Sequence, residues 1–300
     1  MSYVALVLGW CHRVTETLCR CFLEARPAVQ GIFLLRFLAG ASFAGSLFGG
    51  GVLNLSLWGG AALWVCVTIS VYILNGVMDV EEDQINGSSR PVASGKLKVT
   101  QAAVAAGGLA VLSVVGSLAL GNLMVGSVVV ALALGWLYSG PPFYLKRWPT
   151  GLAVVAILAA LITYNAGYAS NGGGYGILSL LVFAVVMALW MGLVGQTKDL
   201  SDIEGDKQAG RRSGPVIWGE DTARLVFSGV ALCLGGGYIL AAALFATGLL
   251  IPAFAVAFGA VALAIVTLGP WSRGDKSRRR RPYQVFMLTQ YAANLAVVIW

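Results

Sequence analysis

Two acid-rich stretches of the sequence share a related spacing. In the first, Asn75, Asp79 and Asp83 are four residues apart, and the adjacent Glu81 and Glu82 are expected to point elsewhere. In the second, the steps are three and then four residues, and the acids are Asp199, Asp202 and Asp206. Residues at these spacings lie on one face of a helix, where like charges destabilise it unless a counter-ion is present. Two such faces in one chain point to a shared counter-ion.

Mg²⁺ is the counter-ion that these ligands favour, because it is a hard cation that completes its shell with water and substrate phosphate. Two facing clusters would hold more than one Mg²⁺ ion and clamp a diphosphate. The predicted metal ligands are Asn75, Asp79, Asp83, Asp199, Asp202 and Asp206. The predicted catalytic residues are Asp79, Asp83, Asp199 and Asp202. The competing interpretation of an acidic helix end is a solvated loop face.

Basic residues accompany both stretches. A cation beside Mg²⁺ stabilises the negative charge that builds on a diphosphate leaving group as its C–O bond breaks. The side chains predicted to contact such a substrate are Asn75, Arg90, Tyr138, Lys146, Lys198 and Lys207. Topogenic charge alone is the competing interpretation, and we favour it for the basic run at 278–281.

The composition shows what kind of elements must position these residues. Of the 300 residues, 58% are hydrophobic and only 11% are charged, whereas soluble domains are about 25% charged. Most of the chain must therefore lie in lipid, which excludes a cytosolic enzyme, a disordered chain and a fibrous protein. The net charge of +7 does not indicate nucleic acid as a partner, because the basic residues lie beside apolar runs, where anionic membrane lipid attracts them.

Nine apolar runs are long enough to cross a membrane as helices, since about 20 residues span the hydrocarbon. Helix is the expected state, because an open strand would leave backbone amides unpaired in lipid. The predicted fold is all-α, a polytopic membrane protein with nine transmembrane helices. The predicted spans are 27–48, 53–75, 101–121, 124–138, 151–170, 177–197, 223–246, 249–268 and 283–300.

The charges predict a topology. The short connections between alternate spans carry none of the 20 Lys and Arg residues. The positive-inside rule then puts the N-terminus and every long connection in the cytoplasm. We expect an integral protein of the cell inner or plasma membrane, with a polar cap and an active site on the cytoplasmic side. Residues 27–300 would form the transmembrane domain. Residues 1–26 would form a cytoplasmic segment that is either an interfacial helix or a frayed tail.

The first acid stretch resembles a motif of the UbiA superfamily of intramembrane prenyltransferases. That motif reads N-D-x-x-D-x-x-x-D, followed by R-P and a glycine. The matching residues are Asn75, Asp79, Asp83, Arg90, Pro91 and Gly95. Gly76 departs from the motif, since an Asp is common there, and Gly87 stands where many members have another Arg.

The second acid stretch resembles the motif K-D-x-x-D-x-E-G-D of one large branch of that family. The matching residues are Lys198, Asp199, Asp202, Glu204, Gly205 and Asp206. The segment from Tyr138 to Lys146, with Pro141 and Pro142, is similar to the loop after the family's fourth helix. In span count and motif order the resemblance covers essentially the whole chain.

The resemblance implies a UbiA-like bundle that holds an isoprenyl diphosphate donor and Mg²⁺ between the two motifs. Ionisation would give an allylic cation, which an aromatic or other lipophilic acceptor, such as a quinone precursor, attacks at C1. The ring faces of Tyr138, Tyr164 and Tyr168 could stabilise that cation by about 0.5–2 kcal/mol each. Packing in the core is the competing role for each of them. Gln290 and Asn294 would either line the cavity or bond between helices.

Two other functions stay open at this point. A UbiA-type terpene cyclase would capture the cation within its own chain, and the departure at Gly76 keeps this alternative in view. A transporter of cations or lipid phosphate could also use two acid clusters. Charge confined to one side of the membrane argues against transport, because conduction needs polar groups along the whole depth.

Overall fold

The protein is helical throughout the residues that a computed structural model describes, which are 3–47, 54–174 and 176–299. Those ranges contain no strand, which confirms the all-α prediction, and they hold fourteen α-helices. The helices are α1 (Tyr3–Glu24), α2 (Pro27–Ser42), α3 (Leu55–Met78), α4 (Val80–Ile85), α5 (Val99–Ser117), α6 (Asn122–Ser139), α7 (Pro149–Ser170), α8 (Ile177–Leu193), α9 (Ile203–Gln208), α10 (Gly214–Trp218), α11 (Glu220–Phe245), α12 (Leu250–Leu268), α13 (Lys276–Arg279) and α14 (Arg281–Ile299).

Seven helices in the described part of the chain are long and apolar enough to cross a membrane, namely α3, α5, α6, α7, α8, α11 and α12. Helix α2 is apolar but has only 16 residues. Helix α14 has 19 residues but is less apolar, because it carries Gln284, Gln290 and Asn294. Each of the nine predicted spans contains a helix, but nine membrane crossings are not confirmed by length and composition.

Two glycines let α2 and α7 pack closely. A Cβ built on Gly167 would overlap the carbonyl oxygen of Phe37, and one on Gly40 would overlap that of Tyr164. The two helices therefore meet backbone to backbone, as small residues permit in membrane proteins. Helix α7 also packs on α8, while α3 packs on α5 and α11 packs on α12.

The outward faces of the long helices are apolar. Val104, Leu123 and Phe258 lie on three different helices and are 76%, 71% and 78% exposed. A large exposed surface of apolar side chains is unfavourable in water and favourable against lipid tails. The bundle therefore has the surface of an integral membrane protein.

Both acid stretches lie where a long helix is interrupted. Helix α3 ends at Met78, and Asp79 has φ −106° and ψ 14° before α4 begins. After α8, a 3₁₀ segment covers Val194–Ser201, and Asp202 has φ −119° and ψ 14° before α9 begins. The prediction that each cluster shares one face of a regular helix is therefore wrong for the second cluster, because Asp202 pairs with Lys276 while Asp199 and Asp206 pair with Arg211. In the first cluster the helix is also interrupted, but Asn75 bonds to Asp79 and Arg90 bonds to both Asn75 and Asp83, so the three side chains stay together.

Short elements gather around the two breaks. Helix α4 contacts α9, α9 contacts α10, and α13 contacts the 3₁₀ segment Val194–Ser201. The backbone N–H of Arg212 donates to the carbonyl of Arg147 over 2.9 Å, which joins α9 and α10 to the 3₁₀ turn Leu145–Arg147. We call α4, α9, α10, α13 and this turn the polar cap.

The C-terminal end of α1 packs on the bundle beside the polar cap. Cys21 and Ala25 are buried in one apolar cluster with Ile73 of α3 and with Val92. Glu24, the last residue of α1, is fully buried. A helix thus forms within the N-terminal segment, whose cytoplasmic and interfacial location stays a prediction.

Candidate active site

The first acid cluster surrounds the break between α3 and α4. Asn75 Nδ2 donates to Asp79 Oδ2 over 2.8 Å and to Ser139 Oγ over 2.7 Å. Arg90 Nη1 donates to Asp83 Oδ2 over 3.0 Å and to Asn75 Oδ1 over 3.3 Å. The side chains of Asp79 and Asp83 remain 13% and 14% exposed. This cluster therefore presents partly open carboxylates.

The second acid cluster is more deeply buried. Asp199 and Asp206 are almost completely excluded from solvent, and both are paired with the buried Arg211. Arg211 Nη2 lies 3.3 Å from Asp199 Oδ1, and its Nη1 lies 3.4 Å from Asp206 Oδ1. A single guanidinium thus neutralises two carboxylates that would otherwise repel each other in a medium of low dielectric constant.

Two cations join the clusters. Lys146 Nζ forms an ion pair with Asp79 and lies 3.4 Å from Glu82 Oε2. Arg211 Nη1 lies 3.5 Å from Glu82 Oε1. The result is a chain of alternating charges in the order Asp79, Lys146, Glu82, Arg211 and Asp199. The prediction that Glu82 points elsewhere is wrong, because the break at Asp79 turns the side chains of α4 toward the second cluster.

Burial changes the ionisation of two groups in this chain of charges. Burial, together with the nearby cations Arg211 and Lys198, lowers the pKa of Lys146 to about 7. Burial raises the pKa of Asp206 to about 6, and the neighbouring Asp199 adds to the rise while Arg211 opposes it. Both groups therefore change charge within reach of neutral pH.

Asp202 and Lys207 lie apart from the alternating charges. Asp202 Oδ1 is 3.3 Å from Lys276 Nζ, and Asp202 lines a separate polar cavity of about 190 Å³ with Asn86 and Ser201. Lys207 is exposed on α9, and no ion pair among the described residues joins it to either cluster. Asp202 and Lys207, both predicted from sequence as site residues, therefore lie at the edge of the site.

An apolar chamber of about 200 Å³ opens beside the first cluster. Asn75, Tyr138 and Lys198 line the end nearest the clusters. The lining continues along α3 as far as Trp64, which is about 16 Å of helix from Asn75 at 1.5 Å per residue. The chamber thus extends from the charged groups into the membrane-spanning part of the bundle.

The aromatic residues of the chamber differ in part from those expected. Tyr138 lines it, but Tyr164 does not, because its hydroxyl is buried and donates to Asn294 Oδ1 over 2.8 Å. Tyr168 also packs outside the chamber. Two tyrosines that the sequence analysis missed line it instead, Tyr72 and Tyr283. Spacing along one helix does not show which of several aromatic residues faces a cavity between helices.

The wall of the chamber also carries a buried cation. Arg36 of α2 is 1% exposed, and its Nη2 donates to Gln290 Oε1 and to Met191 Sδ. Within the described residues its Nη1 has no hydrogen-bond partner, and no carboxylate lies within 4.0 Å of the guanidinium. The buried Trp64 Nε1 lacks a partner in the same way. Both nitrogen atoms are buried, although Arg36 and Trp64 are residues of the chamber lining.

A known protein family matches most of this chain. The model of the UbiA prenyltransferase family matches residues 33–290, which include both acid clusters, Arg36 and most of the chamber lining. The chain belongs to the UbiA prenyltransferase family. This confirms the resemblance inferred from the two motifs.

Several members of the UbiA family are similar to this chain. Digeranylgeranylglyceryl phosphate synthase from Methanocaldococcus jannaschii is 34% identical over 148 residues, which are 49% of this chain and 50% of that protein. The chain thus spans about half the length of this relative. Homogentisate phytyltransferase from Synechocystis sp. is 29% identical over 227 residues, which are 71% of this chain and 68% of that protein.

A solved UbiA homologue has the same fold. The structure of a UbiA homologue from Archaeoglobus fulgidus bound to GPP and Mg²⁺ matches with a TM-score of 0.69 at 19% sequence identity. The match covers 94% of this chain and 100% of that chain. At this identity the likeness concerns the arrangement of helices.

The acids of this UbiA-family chain suit a hard divalent cation. All six predicted ligands carry carboxylate or amide oxygens, the donors that Mg²⁺ prefers. In the part of the chain that the structure describes, no three acidic, His or Cys side chains close around a common point. Lys146 and Arg211 occupy the space between the acids instead. The donor set fits Mg²⁺, and metal binding requires these two cations to give up carboxylate partners.

Two residues of the site are not among the site residues predicted from sequence. Arg211 had a signal, because it is one of the basic residues that follow the second acid stretch, much as Arg90 follows Asp83. Glu24 had none. It contacts Arg90 from 66 positions away in the chain. A contact between a terminal helix and a distant loop leaves no trace in local spacing.

Proposed function

We propose that this protein is a Mg²⁺-dependent intramembrane prenyltransferase, which moves an isoprenyl group from an isoprenyl diphosphate to an aromatic or quinone-precursor acceptor. The observation that carries the proposal is the chain of alternating charges from Asp79 to Asp199 beside an apolar chamber of about 200 Å³. A substrate with a polyanionic head and a hydrocarbon tail is complementary to this pairing of surfaces.

Six side chains would hold Mg²⁺, and they are Asn75, Asp79, Asp83, Asp199, Asp202 and Asp206. When bound, Mg²⁺ neutralises diphosphate oxygens and stabilises the charge that develops on the leaving group. Asp202 would join them by leaving Lys276, an exposed partner whose ion pair contributes only about 0–1 kcal/mol. Asp79, Asp83, Asp199 and Asp202 are the residues that we propose as essential for turnover.

The cations of the site would act on the diphosphate. We assign this contact to Arg90, Lys146, Lys198 and Lys207. Lys146 is well suited, because it is buried and already lies between two acids whose place an anionic substrate can take. The bond between C1 and the diphosphate oxygen breaks, and its electron pair leaves with the diphosphate. The acceptor carbon then forms a bond to the allylic C1 and releases a proton.

The chamber would hold the isoprenyl tail and the acceptor. Its apolar lining along α3 accommodates hydrocarbon, and the ring of Tyr138 stands at the end where C1 would lie.

The polar cap would face the cytoplasm, in the cell inner or plasma membrane. The basic residues of the long connections support this orientation through the positive-inside rule. Helices α2 and α14 would complete nine crossings. With 16 residues, α2 covers about 24 Å, and local thinning of the bilayer accommodates a short span at small cost. Membrane lipid would cover the exposed apolar faces.

The direct test is turnover by protein purified in detergent. Isoprenyl diphosphates of increasing length are supplied with Mg²⁺, with and without a panel of aromatic and quinone-precursor acceptors, and products are identified by mass spectrometry. We expect a prenylated acceptor and inorganic diphosphate, and loss of both in EDTA. Asp79→Asn is expected to abolish turnover, whereas the matched control Glu81→Gln, an exposed acid in the same stretch, is expected to leave it unchanged.

The same assay contains the results that would contradict the proposal. Hydrocarbon or cyclic alcohol products formed without any acceptor would identify a terpene cyclase instead. Turnover that survives EDTA would exclude the metal. Flux of ions or lipid phosphate across vesicles without any chemistry would identify a transporter.

A further inference from the structure

Glu24 is an acid with no place among the predicted ligands, yet it is the most completely buried carboxylate near the first cluster. It ends α1 and has no exposed surface. Its Oε1 lies 2.7 Å from Arg90 Nε, and its Oε2 accepts from the backbone N–H of Val92 over 2.8 Å. Burying a carboxylate is expensive unless it is paired. The buried pair of Glu24 and Arg90 lies beside the first acid cluster.

The space that Glu24 occupies exists because residue 76 is glycine. A Cβ built on Gly76 would overlap Glu24 Oε1 and would lie 2.5 Å from Arg90 Nη2. Gly76 directly follows Asn75, so the carboxylate of Glu24 packs against the backbone of α3 beside a predicted metal ligand. Helix α1 thus delivers to this point an acid that α3 itself does not carry.

Both terminal nitrogens of Arg90 donate hydrogen bonds, whereas its Nε makes only the ion-pair contact with Glu24. Its Nη2 donates to the carbonyls of Glu24 and Tyr72 over 3.1 and 2.8 Å. Its Nη1 faces the opposite way and donates to Asp83 Oδ2 and Asn75 Oδ1. Glu24 supplies the main buried counter-charge, so Arg90 does not depend on Asp83 alone for neutralisation.

We propose that Glu24 is a positioning residue of the active site, which takes the place beside Gly76 and gives Arg90 a second buried counter-charge, so that Asp83 can exchange Arg90 for Mg²⁺ without leaving the guanidinium unpaired. The inference rests on the proposed function, since it assigns Mg²⁺ to the first cluster. Without the charge of Glu24, Asp83 is the counter-ion that remains to Arg90, and the guanidinium competes more strongly with the metal for that carboxylate. Helix α1 therefore contributes to metal binding through Arg90.

The first measurement is the melting temperature of the purified full chain in EDTA and across a Mg²⁺ titration, without any isoprenyl substrate. Glu24→Gln keeps the shape of the side chain and loses its charge. We expect the Mg²⁺ concentration that gives half of the stabilisation to rise about tenfold, as is usual when an outer partner of a metal ligand is removed. At saturating Mg²⁺ we expect kcat to stay within about threefold, because the outer partner acts on metal affinity.

The matched control is Glu16→Gln on the same helix. Glu16 is exposed and pairs only with the exposed Arg20 among the described residues. We expect this variant to melt and to respond to Mg²⁺ as the unmodified protein does, since exposed ion pairs contribute about 0–1 kcal/mol. A shift equal to that of Glu24→Gln would show that any charge lost from α1 has the same effect, and would overturn the proposal.

A relocation variant separates positioning from simple loss of structure. Glu24→Ala removes the carboxylate that a Cβ on residue 76 would overlap, and the second change Gly76→Asp returns a carboxylate to Arg90 from α3. The end of the Arg90 side chain, whose Nη2 lies 2.5 Å from that Cβ position, must shift to make room for it. We expect the double variant to recover Mg²⁺ dependence to within about threefold of the unmodified protein, whereas Glu24→Ala alone does not fold or shows the shifted dependence. A double variant no better than Glu24→Ala would overturn the proposal.

The substrate-free titration keeps the two proposals distinguishable. A normal Mg²⁺ response without prenyl transfer to any acceptor would overturn the proposed function and leave the role of Glu24 supported by its own titration. An unchanged titration in Glu24→Gln, together with normal transfer, would overturn the role of Glu24 alone. A protein with no Mg²⁺ response at all would overturn both.

Discussion

The two acid clusters have a similar backbone arrangement, but the arginines that pair with them have different counter-ions. Each has an aspartate at a break before a helix of 6 residues, α4 or α9, and each is followed by an arginine that folds back on it. In the first cluster Arg90 has a separate counter-ion in Glu24. In the second, the carboxylates that pair with Arg211 are Asp199, Asp206 and Glu82.

This difference predicts unequal costs when an acid is removed. A first-cluster aspartate can be neutralised while Arg90 stays paired with Glu24. Asp199 and Asp206 of the second cluster are almost fully buried, so removal of either one leaves a polar cavity and takes one of three carboxylates from Arg211. A lost hydrogen bond to a charged group costs about 1.5–3 kcal/mol. We therefore expect removal of an acid from the second cluster to cost more stability than removal of one from the first.

The largest effect is expected from Asp199→Ala. We expect it to abolish turnover and to destabilise the metal-free protein by about 1.5–3 kcal/mol, because Asp199 is almost fully buried and its loss leaves Arg211 with Asp206 and Glu82. Thermal melting in EDTA measures the second part. An Asp199→Ala protein that melts like the unmodified one would contradict this difference between the clusters.

The next effect is expected from Asp79→Ala and Asp83→Ala. Each should lower turnover by about 10²-fold or more, because charge on the leaving group is no longer stabilised. Each should destabilise the metal-free protein less than Asp199→Ala does, since the side chains of Asp79 and Asp83 are 13% and 14% exposed and that of Asp199 is 2% exposed. Melting curves and turnover are measured in the same preparations, so that the loss of stability is separated from the loss of activity. Equal destabilisation by variants of both clusters would contradict the expected difference between them.

A smaller effect is expected from pH. Asp206, with its pKa raised to about 6, holds a proton in acid that competes with Mg²⁺, and Lys146, with its pKa lowered to about 7, loses its charge above that value. Both changes favour metal binding as pH rises, so the half-stabilising Mg²⁺ concentration should fall between about pH 5 and about pH 8. Asp206→Asn should flatten the lower part of this profile and Lys146→Met the upper part.

In EDTA the contribution of Asp206 has the opposite sign. Its folded pKa lies above its unfolded value, so its contribution to stability is present in acid and is lost as pH rises through about 6. Melting temperatures of the metal-free protein should therefore fall between about pH 4 and about pH 6, and Asp206→Asn should remove the fall. A melting temperature in EDTA that stays constant over this interval would contradict this prediction, and a Mg²⁺ dependence that is the same at every pH would contradict the preceding one.

The smallest effect is expected from Lys276→Met. Lys276 pairs with Asp202 at the edge of the second cluster, but its side chain is 53% exposed. An exposed pair contributes about 0–1 kcal/mol, so melting should hardly change. Turnover should stay within about threefold, because Asp202 is the group proposed to bind the metal and its partner is dispensable. A large loss of turnover would show that this pair belongs to the working site.

Much of the fold and part of the site could be predicted from local sequence. Each apolar run contains a helix, because a hydrocarbon environment leaves few other ways to satisfy the backbone. The spacing of the acids identified two clusters after α3 and α8, and the family motifs identified Arg90 and Lys146, which the structure places among them. These features depend on residues close together in the chain, so spacing and composition carry their signal.

The contacts between distant segments depend on the tertiary structure. Spacing predicts a shared face only while a helix continues, and the breaks at Asp79 and Asp202 turned Glu82 into the site and left Asp202 at its edge. Glu24 reaches Arg90 across 66 positions because Gly76 leaves room for its carboxylate. The sequence alone determined which charges the membrane surface must hold. Which of them meet depends on how the helices pack, since the energy of a buried ion pair is set by distances that local order does not encode.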